Sequence, residues 1–182
     1  MMLLQNISEV THLPPEDERG ELETKVYQVL IELEIPFQRV DNDSVESMED
    51  CVEISHKLGA EIRKTVFVCD RKKTNFYLVV MPANQSFNTK VFSERLDCPR
   101  VSFASPEYMK EYLGVLPGTA TVMSLLNDPK NRVKVIVDKS VVESEWFACN
   151  PGANTTHIKI KTDDLLKKIL PYTGHRAKII GL

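Results

Sequence analysis

The sequence predicts a single α/β domain built on a mixed, largely antiparallel sheet surrounded by helices, and three observations lead there. Two β-branched and aromatic runs, Thr65–Cys69 and Phe76–Met81, flank the polar stretch Asp70-Arg-Lys-Lys-Thr-Asn75, which is a hairpin signature. Amphipathic helical patterns alternate with these and with further short strands, which reads as a mixed sheet rather than a purely parallel one. At 182 residues, the chain is long enough for one well-filled core and short for two.

Taken in order, residues 1–20 end in the turn-rich Pro14-Pro15-Glu16-Asp17-Glu18-Arg19-Gly20 and read as a lead-in without chemistry, with the domain proper over 21–182. From Glu21, Val26, Leu30 and Leu33 recur at helical spacing until Pro36, and Phe37–Val40 is a short strand. Ser47 with Asp50 three residues on resembles a capping box for a helix closed by Gly59. The hairpin strands both look central. Thr89–Leu96 reads as a helix and Val101–Phe103 as a strand, and Ser105-Pro106-Glu107 combines an N-cap, an N1 proline and a first-turn acid for a helix ended by Gly114. A short apolar stretch Val122–Leu126 and a strand Val133–Val137 follow. Trp146–Cys149 runs into a turn at Asn150-Pro151-Gly152, Thr155–Ile160 alternates as a strand, Thr162 caps a helix that Pro171 ends, and Ala177–Ile180 is an edge strand.

Composition narrows the function. No apolar run approaches the roughly 20 residues of a membrane helix, and Met1-Met2-Leu3-Leu4-Gln5-Asn6 has neither a basic region nor a sustained apolar stretch, so the expectation is a cytoplasmic protein. Cys51, Cys69, Cys98 and Cys149 have no metal-binding or disulfide spacing and read as reduced and structural. Residues 1–53 carry three basic and 14 acidic side chains, whereas residues 54–182 carry 20 and 12. A basic body behind an acidic N-terminal segment is compatible with a polyanion such as RNA on one face, although solvated surfaces are often uneven.

No Gly-x-Ser-x-Gly elbow, Walker loop, dinucleotide fingerprint or His-Glu-x-x-His is present, which removes support for a serine or cysteine nucleophile and for a metallopeptidase. Three places stand out instead. Gly114-Val-Leu-Pro-Gly118 with Thr119-Ala120 either stops a helix or turns the backbone amides of Gly118, Thr119 and Ala120 toward an anion or oxyanion. Lys64, entering an apolar strand, is either a solvated strand-end lysine or a compact charge for a phosphate or carbonyl. Asn150-Pro-Gly-Ala-Asn154-Thr155 is a turn whose asparagines either brace the loop or meet a ligand. Arg63, Arg71, Lys72 and Lys73 read as solvated charges, and His157, sharing strand parity with Lys159 and Lys161, as solvent-facing.

In order and spacing, Lys64–Asp70, Phe76–Pro82, Gly114–Gly118 with Asn127-Asp128, and Asn150-Pro-x-x-Asn154-Thr155 resemble the YbaK/prolyl-tRNA-editing family. Its free-standing ProX and PrdX types are similar to the insertion domain of bacterial prolyl-tRNA synthetase, and the resemblance spans about residues 22–180. It implies a cytoplasmic, trans-acting deacylase that hydrolyses the ester of mischarged tRNA(Pro), first of all alanyl-tRNA(Pro), with cysteinyl-tRNA(Pro) or a non-catalytic sensor of amino acid or charged tRNA as alternatives. The implied partners are the 3′ aminoacyl end of that tRNA and, further off, prolyl-tRNA synthetase or an elongation factor, with no membrane, metal or cofactor. On the same ground Lys64, Gly118 and Thr119 would be catalytic, and Gly114, Pro117, Asn150, Asn154 and Thr155 would bind substrate. One departure stands out: the family's His-Pro-x-x-Asn here begins with Asn150, which cannot become cationic near neutral pH.

Overall fold

A computed structural model describes residues 6–182, so the reading of Met1–Gln5 lies outside the described residues. These residues form eight strands in two sheets. The larger has the order β4-β2-β3-β5-β8, from Val101–Phe103 (β4), Lys64–Asp70 (β2), Phe76–Met81 (β3), Val133–Asp138 (β5) and Ala177–Ile180 (β8). It is antiparallel over β4, β2 and β3 and parallel over β3, β5 and β8. The smaller is antiparallel, with the order β1-β7-β6, from Gln38–Asp41 (β1), Thr156–Lys161 (β7) and Trp146–Cys149 (β6). A parallel bridge from Ile62 to Ala148 joins them.

The β2–β3 hairpin closes because the Asp70 carboxylate accepts from the Thr74 amide at 2.9 Å and from Asn75 Nδ2 at 2.7 Å, an Asx-type brace for the polar turn read in the sequence. Every residue of β3 is buried because the larger sheet is covered on both faces. Phe67, Phe76, Leu78, Val80, Val135 and Val137 meet Phe147, Ile158 and Ile160 of the smaller sheet in the main core, closed by helix α1 (Glu21–Glu32). On the other face, Val68, Tyr77, Val79 and Ile136 pack on Phe92 of α3 (Thr89–Leu96).

Helix α2 (Cys51–Leu58) starts four residues later than Ser47, yet the predicted box is present. Ser47 Oγ accepts from the Asp50 amide and Asp50 Oδ2 accepts from the Ser47 amide, in the turn leading into the helix. Gly59 closes it at φ +65°. The helix lays Ile54 and Leu58 on the outer face of the smaller sheet beside Val40 and Ala148. Helix α4 (Pro106–Leu113) has its predicted cap, with Ser105 Oγ accepting from the Tyr108 amide. Residues 122–127 form a 3-10 turn, and Lys139–Glu143 (α5) follows β5.

Near the C-terminus the structure corrects two expectations. Thr162 does not cap by its side chain, since its Oγ1 is buried without a partner and Lys161 holds the cap position. Pro171 does not end the helix either. Thr162–Asp164 (α6) continues through a π turn at Leu165–Ile169 into Leu170–Tyr172 (α7), with Leu170 N–H donating to Leu165 O. The wider turn makes room where the proline ring would strike the carbonyl four residues back.

Candidate active site

A cleft of about 330 Å³ opens between the start of β2, the loop after α4, the turn after β6 and the segment before α2. Lys64, Pro117, Gly118, Asn150 and Asn154 all line it, so the fold brings together residues up to 90 positions apart in sequence. Gly114, Thr119 and Thr155 do not.

Lys64 is half-buried at the first position of β2, opposite Met81, and its Nζ donates to the Gln85 carbonyl at 3.1 Å. That contact aims the ammonium while leaving donors for a ligand. Arg63 is not the solvated charge expected from the sequence. It is 9% exposed, ion-paired to Glu61, and its Nε has no partner. The Arg63 amide donates to the Ala148 carbonyl at 2.9 Å, which draws the side chain in where the two sheets meet, and burial lowers its pKa. Arg71, Lys72 and Lys73 are exposed.

Gly114 adopts φ +64° and its amide donates to Lys110 O, so it is the C-cap of α4. A Cβ there would lie 2.8 Å from Asn127 Nδ2, the atom that donates to the Leu113 carbonyl at 2.9 Å. The loop beyond is a turn tied on itself at Thr119, whose amide and hydroxyl both donate to Leu116 O, at 3.0 and 2.8 Å. The Thr119 amide is therefore spent on the turn. Among the described residues the Gly118 and Ala120 amides have no hydrogen-bond partner, and both residues line the cleft. Two donors in a loop left unpaired are suited to an oxygen that gains negative charge.

The asparagines brace this geometry. Asn150 Nδ2 donates to Ala120 O at 3.4 Å, Asn150 Oδ1 accepts from the Gly152 amide at 2.9 Å, and the Asn150 carbonyl accepts from Thr121 Oγ1 at 2.7 Å. Asn154 Nδ2 donates to Ser44 Oγ and to Val45 O, at 2.9 and 3.0 Å, which holds the segment before α2 as the opposite wall. Thr155 is exposed, and its carbonyl accepts from the Asn42 amide.

His157 is a cleft residue that parity assigned to solvent. It is 2% exposed, because α2 and the residues before it cover the face of β7 that carries the polar alternation. Its Nδ1 lies 2.8 Å from Asn42 Oδ1, and burial pushes its pKa down to about 4. The unfolded chain therefore binds this proton more readily, so stability from the neutral buried ring is complete above about pH 6.5 and lost as pH falls toward 4. Urea unfolding of wild type should show up to about 3 kcal/mol of loss across that window that His157→Gln lacks. Equal acid sensitivity in both proteins would rule this out.

No group of three or more His, Cys, Asp or Glu side chains able to hold a metal occurs among the described residues. Cys51 also lines the cleft, but burial pushes its thiol up to about 11 and its Sγ faces the Ser47 carbonyl, so it is poorly placed to act as a thiolate. Among the described residues Glu46 is the one carboxylate lining the cleft, beside two cationic lining residues, Arg63 and Lys64. The cleft thus sets the Lys64 ammonium beside the backbone of Gly118 and Ala120.

The chain is 29% identical to the prolyl-tRNA editing protein ProX of Acetoanaerobium sticklandii over 153 residues, 84% of this chain and 93% of that protein. It is also 29% identical to the prolyl-tRNA synthetase associated domain-containing protein 1 of Mus musculus over 168 residues, covering 90% and 95% of the two chains. Among solved structures it superposes on a candidate trans-editing enzyme for prolyl-tRNA synthetase with TM-score 0.64 at 15% identity, covering 91% and 98%, a likeness of fold. No helix of the described residues is long and apolar enough to cross a membrane. The family defined by the aminoacyl-tRNA editing domain matches residues 42–168, well over half the chain, and this chain belongs to it.

Proposed function

We propose that the protein is a trans-acting deacylase that hydrolyses the ester of mischarged tRNA(Pro), with alanyl-tRNA(Pro) as its first substrate. The observation that carries this reading is the unpartnered pair of amides at Gly118 and Ala120, set in one cleft with the Lys64 ammonium and no activated side-chain nucleophile. The names of the ProX and synthetase-associated relatives support prolyl-tRNA as the context.

In this reading Lys64 engages the terminal adenosine or its phosphate, and the two amides receive the aminoacyl carbonyl oxygen as it becomes an oxyanion. Each such donor contributes on the order of 3 kcal/mol to the barrier. Water attacks the carbonyl carbon, and the ribose oxygen leaves. A proline-sized synthetase pocket rejects a smaller amino acid by only about 1–3 kcal/mol per missing methylene, so a second site that destroys the error has a clear use.

Purified protein incubated with alanyl-, cysteinyl- and prolyl-tRNA(Pro) tests the assignment. Alanyl-tRNA(Pro) is expected to lose its amino acid well above the spontaneous rate while prolyl-tRNA(Pro) is spared. Preference for the cysteinyl ester would move the substrate but keep the reaction, and turnover of none would end the deacylase reading.

A further inference from the structure

The cleft contains a side chain for which the mechanism above has no use, the imidazole of His157. Asn42 Nδ2 donates to the Asp43 carbonyl at 2.7 Å and to the Asn154 carbonyl at 3.1 Å, so its Oδ1 is the acceptor that faces His157 Nδ1. The proton of the neutral ring must then sit on Nδ1, which leaves Nε2 with a free lone pair. Nε2 has no hydrogen-bond partner among the described residues. It is also not sealed off, since the buried unpartnered side-chain atoms there are Arg63 Nε and Thr162 Oγ1. The small exposure this ring retains therefore includes Nε2, and the cleft is what the ring lines.

A neutral acceptor in a cleft also lined by Lys64 and Arg63 is a poor seat for an ammonium and a good one for water. The same cleft is lined by Gly118 and Ala120, and among the described residues no carboxylate besides Glu46 lines it. We propose that His157 Nε2 holds the attacking water, a catalytic role that rests on the deacylase reading given above. The water donates one hydrogen to Nε2, which turns an oxygen lone pair toward the ester carbon. Addition forms the new C–O bond and moves the carbonyl π pair onto the oxygen facing the two amides. When that pair returns, the bond to the ribose oxygen breaks, and the proton given up by the water ends on that oxygen. One ester and one water yield the amino acid and the free tRNA hydroxyl.

Paired variants separate this role from packing, because glutamine places an acceptor near Nε2 whereas asparagine reaches only the Nδ1 position. In single- and multiple-turnover deacylation of alanyl-tRNA(Pro), or of cysteinyl-tRNA(Pro) if wild type prefers it, His157→Asn should lose about 100-fold in kcat at unchanged KM, the scale of one lost transition-state contact. His157→Gln should stay within about tenfold of wild type, the acceptor being replaced. Asn42→Ala keeps the histidine but frees its tautomer, and a fall in kcat at constant KM is expected there too, so a poorly folded His157→Asn would not leave the question open. Unchanged kcat in His157→Asn and Asn42→Ala, or equal losses in the Asn and Gln variants, would overturn the role. If wild type hydrolyses no aminoacyl-tRNA, the deacylase reading fails instead, so the two failures are distinguishable.

Discussion

Replacing Arg19 with methionine is expected to destabilise the protein by about 3–5 kcal/mol, the range seen when one partner of a buried ion pair is removed. The guanidinium lies 3.0 Å from Glu23 Oε1, 3.1 Å from Asp41 Oδ1 and 2.9 Å from Thr156 Oγ1, so a single side chain ties α1, β1 and β7 together. Glu23 is only 3% exposed and also accepts from Tyr27 Oη at 3.0 Å. Without Arg19 its carboxylate would be left in the core with, among the described residues, the Tyr27 phenol as its remaining donor. Burial raises the Asp41 pKa, but hydrogen bonds from Arg19 and Arg39 prevail and hold it at about 2. The loss should appear in urea unfolding at pH 7, and by a size-scaled estimate the melting temperature should fall by roughly 10 °C. Arg19→Lys should recover part of it, since one ammonium cannot reach all three partners. A loss under about 1 kcal/mol in the methionine variant would mean that the cluster is solvated and weak.

Lys64→Met should lower kcat/KM for the preferred aminoacyl-tRNA by about 10- to 100-fold, the worth of one charge-assisted contact of about 1.5–3 kcal/mol. Methionine preserves the length of the aliphatic stem, and the carbonyl left behind belongs to Gln85, which is itself only half-buried, so stability should change little. If the ammonium meets a phosphate, the slope of log kcat/KM against log salt should also become shallower by about one. An exposed cation in the hairpin turn beyond the far end of β2, Lys72, provides the comparison, and its replacement should leave both quantities nearly unchanged. Undiminished turnover in Lys64→Met would remove the residue from the site without touching the function.

Elements whose signals are local were legible in the sequence. The bounds of α4 follow from Ser105 at the helix start, Pro106 at the first helical position and Gly114 at φ +64°, all decided within a few residues of chain. The loop after α4 was legible as an unusual turn, but the division of labour within it was not. Of the three residues named as sources of amides, Thr119 spends its own on Leu116, whereas those of Gly118 and Ala120 stay unpaired among the described residues. Asn150 and Asn154 were legible as turn residues, and their side chains join separate segments of the cleft wall.

His157 shows why the remainder was hidden. Alternation along β7 separates Ile158 and Ile160 from His157, Lys159 and Lys161, and it did so correctly, since the isoleucines enter the main core. Periodicity sorts side chains onto two faces but does not say what covers the second face. There α2 packs, Lys159 Nζ reaches the Leu58 carbonyl at 2.9 Å, and His157 meets Asn42, 115 positions away. Arg63 was misread for the same reason, as was Pro171, whose effect depends on a π turn that no local preference announces.

By itself, then, the sequence determined the α/β class, most helix caps and turns, the hairpin, and four motifs in the register of an editing family, because all of these depend on backbone preferences and spacing along the chain. Only the tertiary structure decided that the strands divide into two sheets, that Arg63 and His157 are buried, and that Gly118 and Ala120 keep free amides. Burial and hydrogen-bond pairing depend on which distant segments pack together, and a one-dimensional pattern carries no such information.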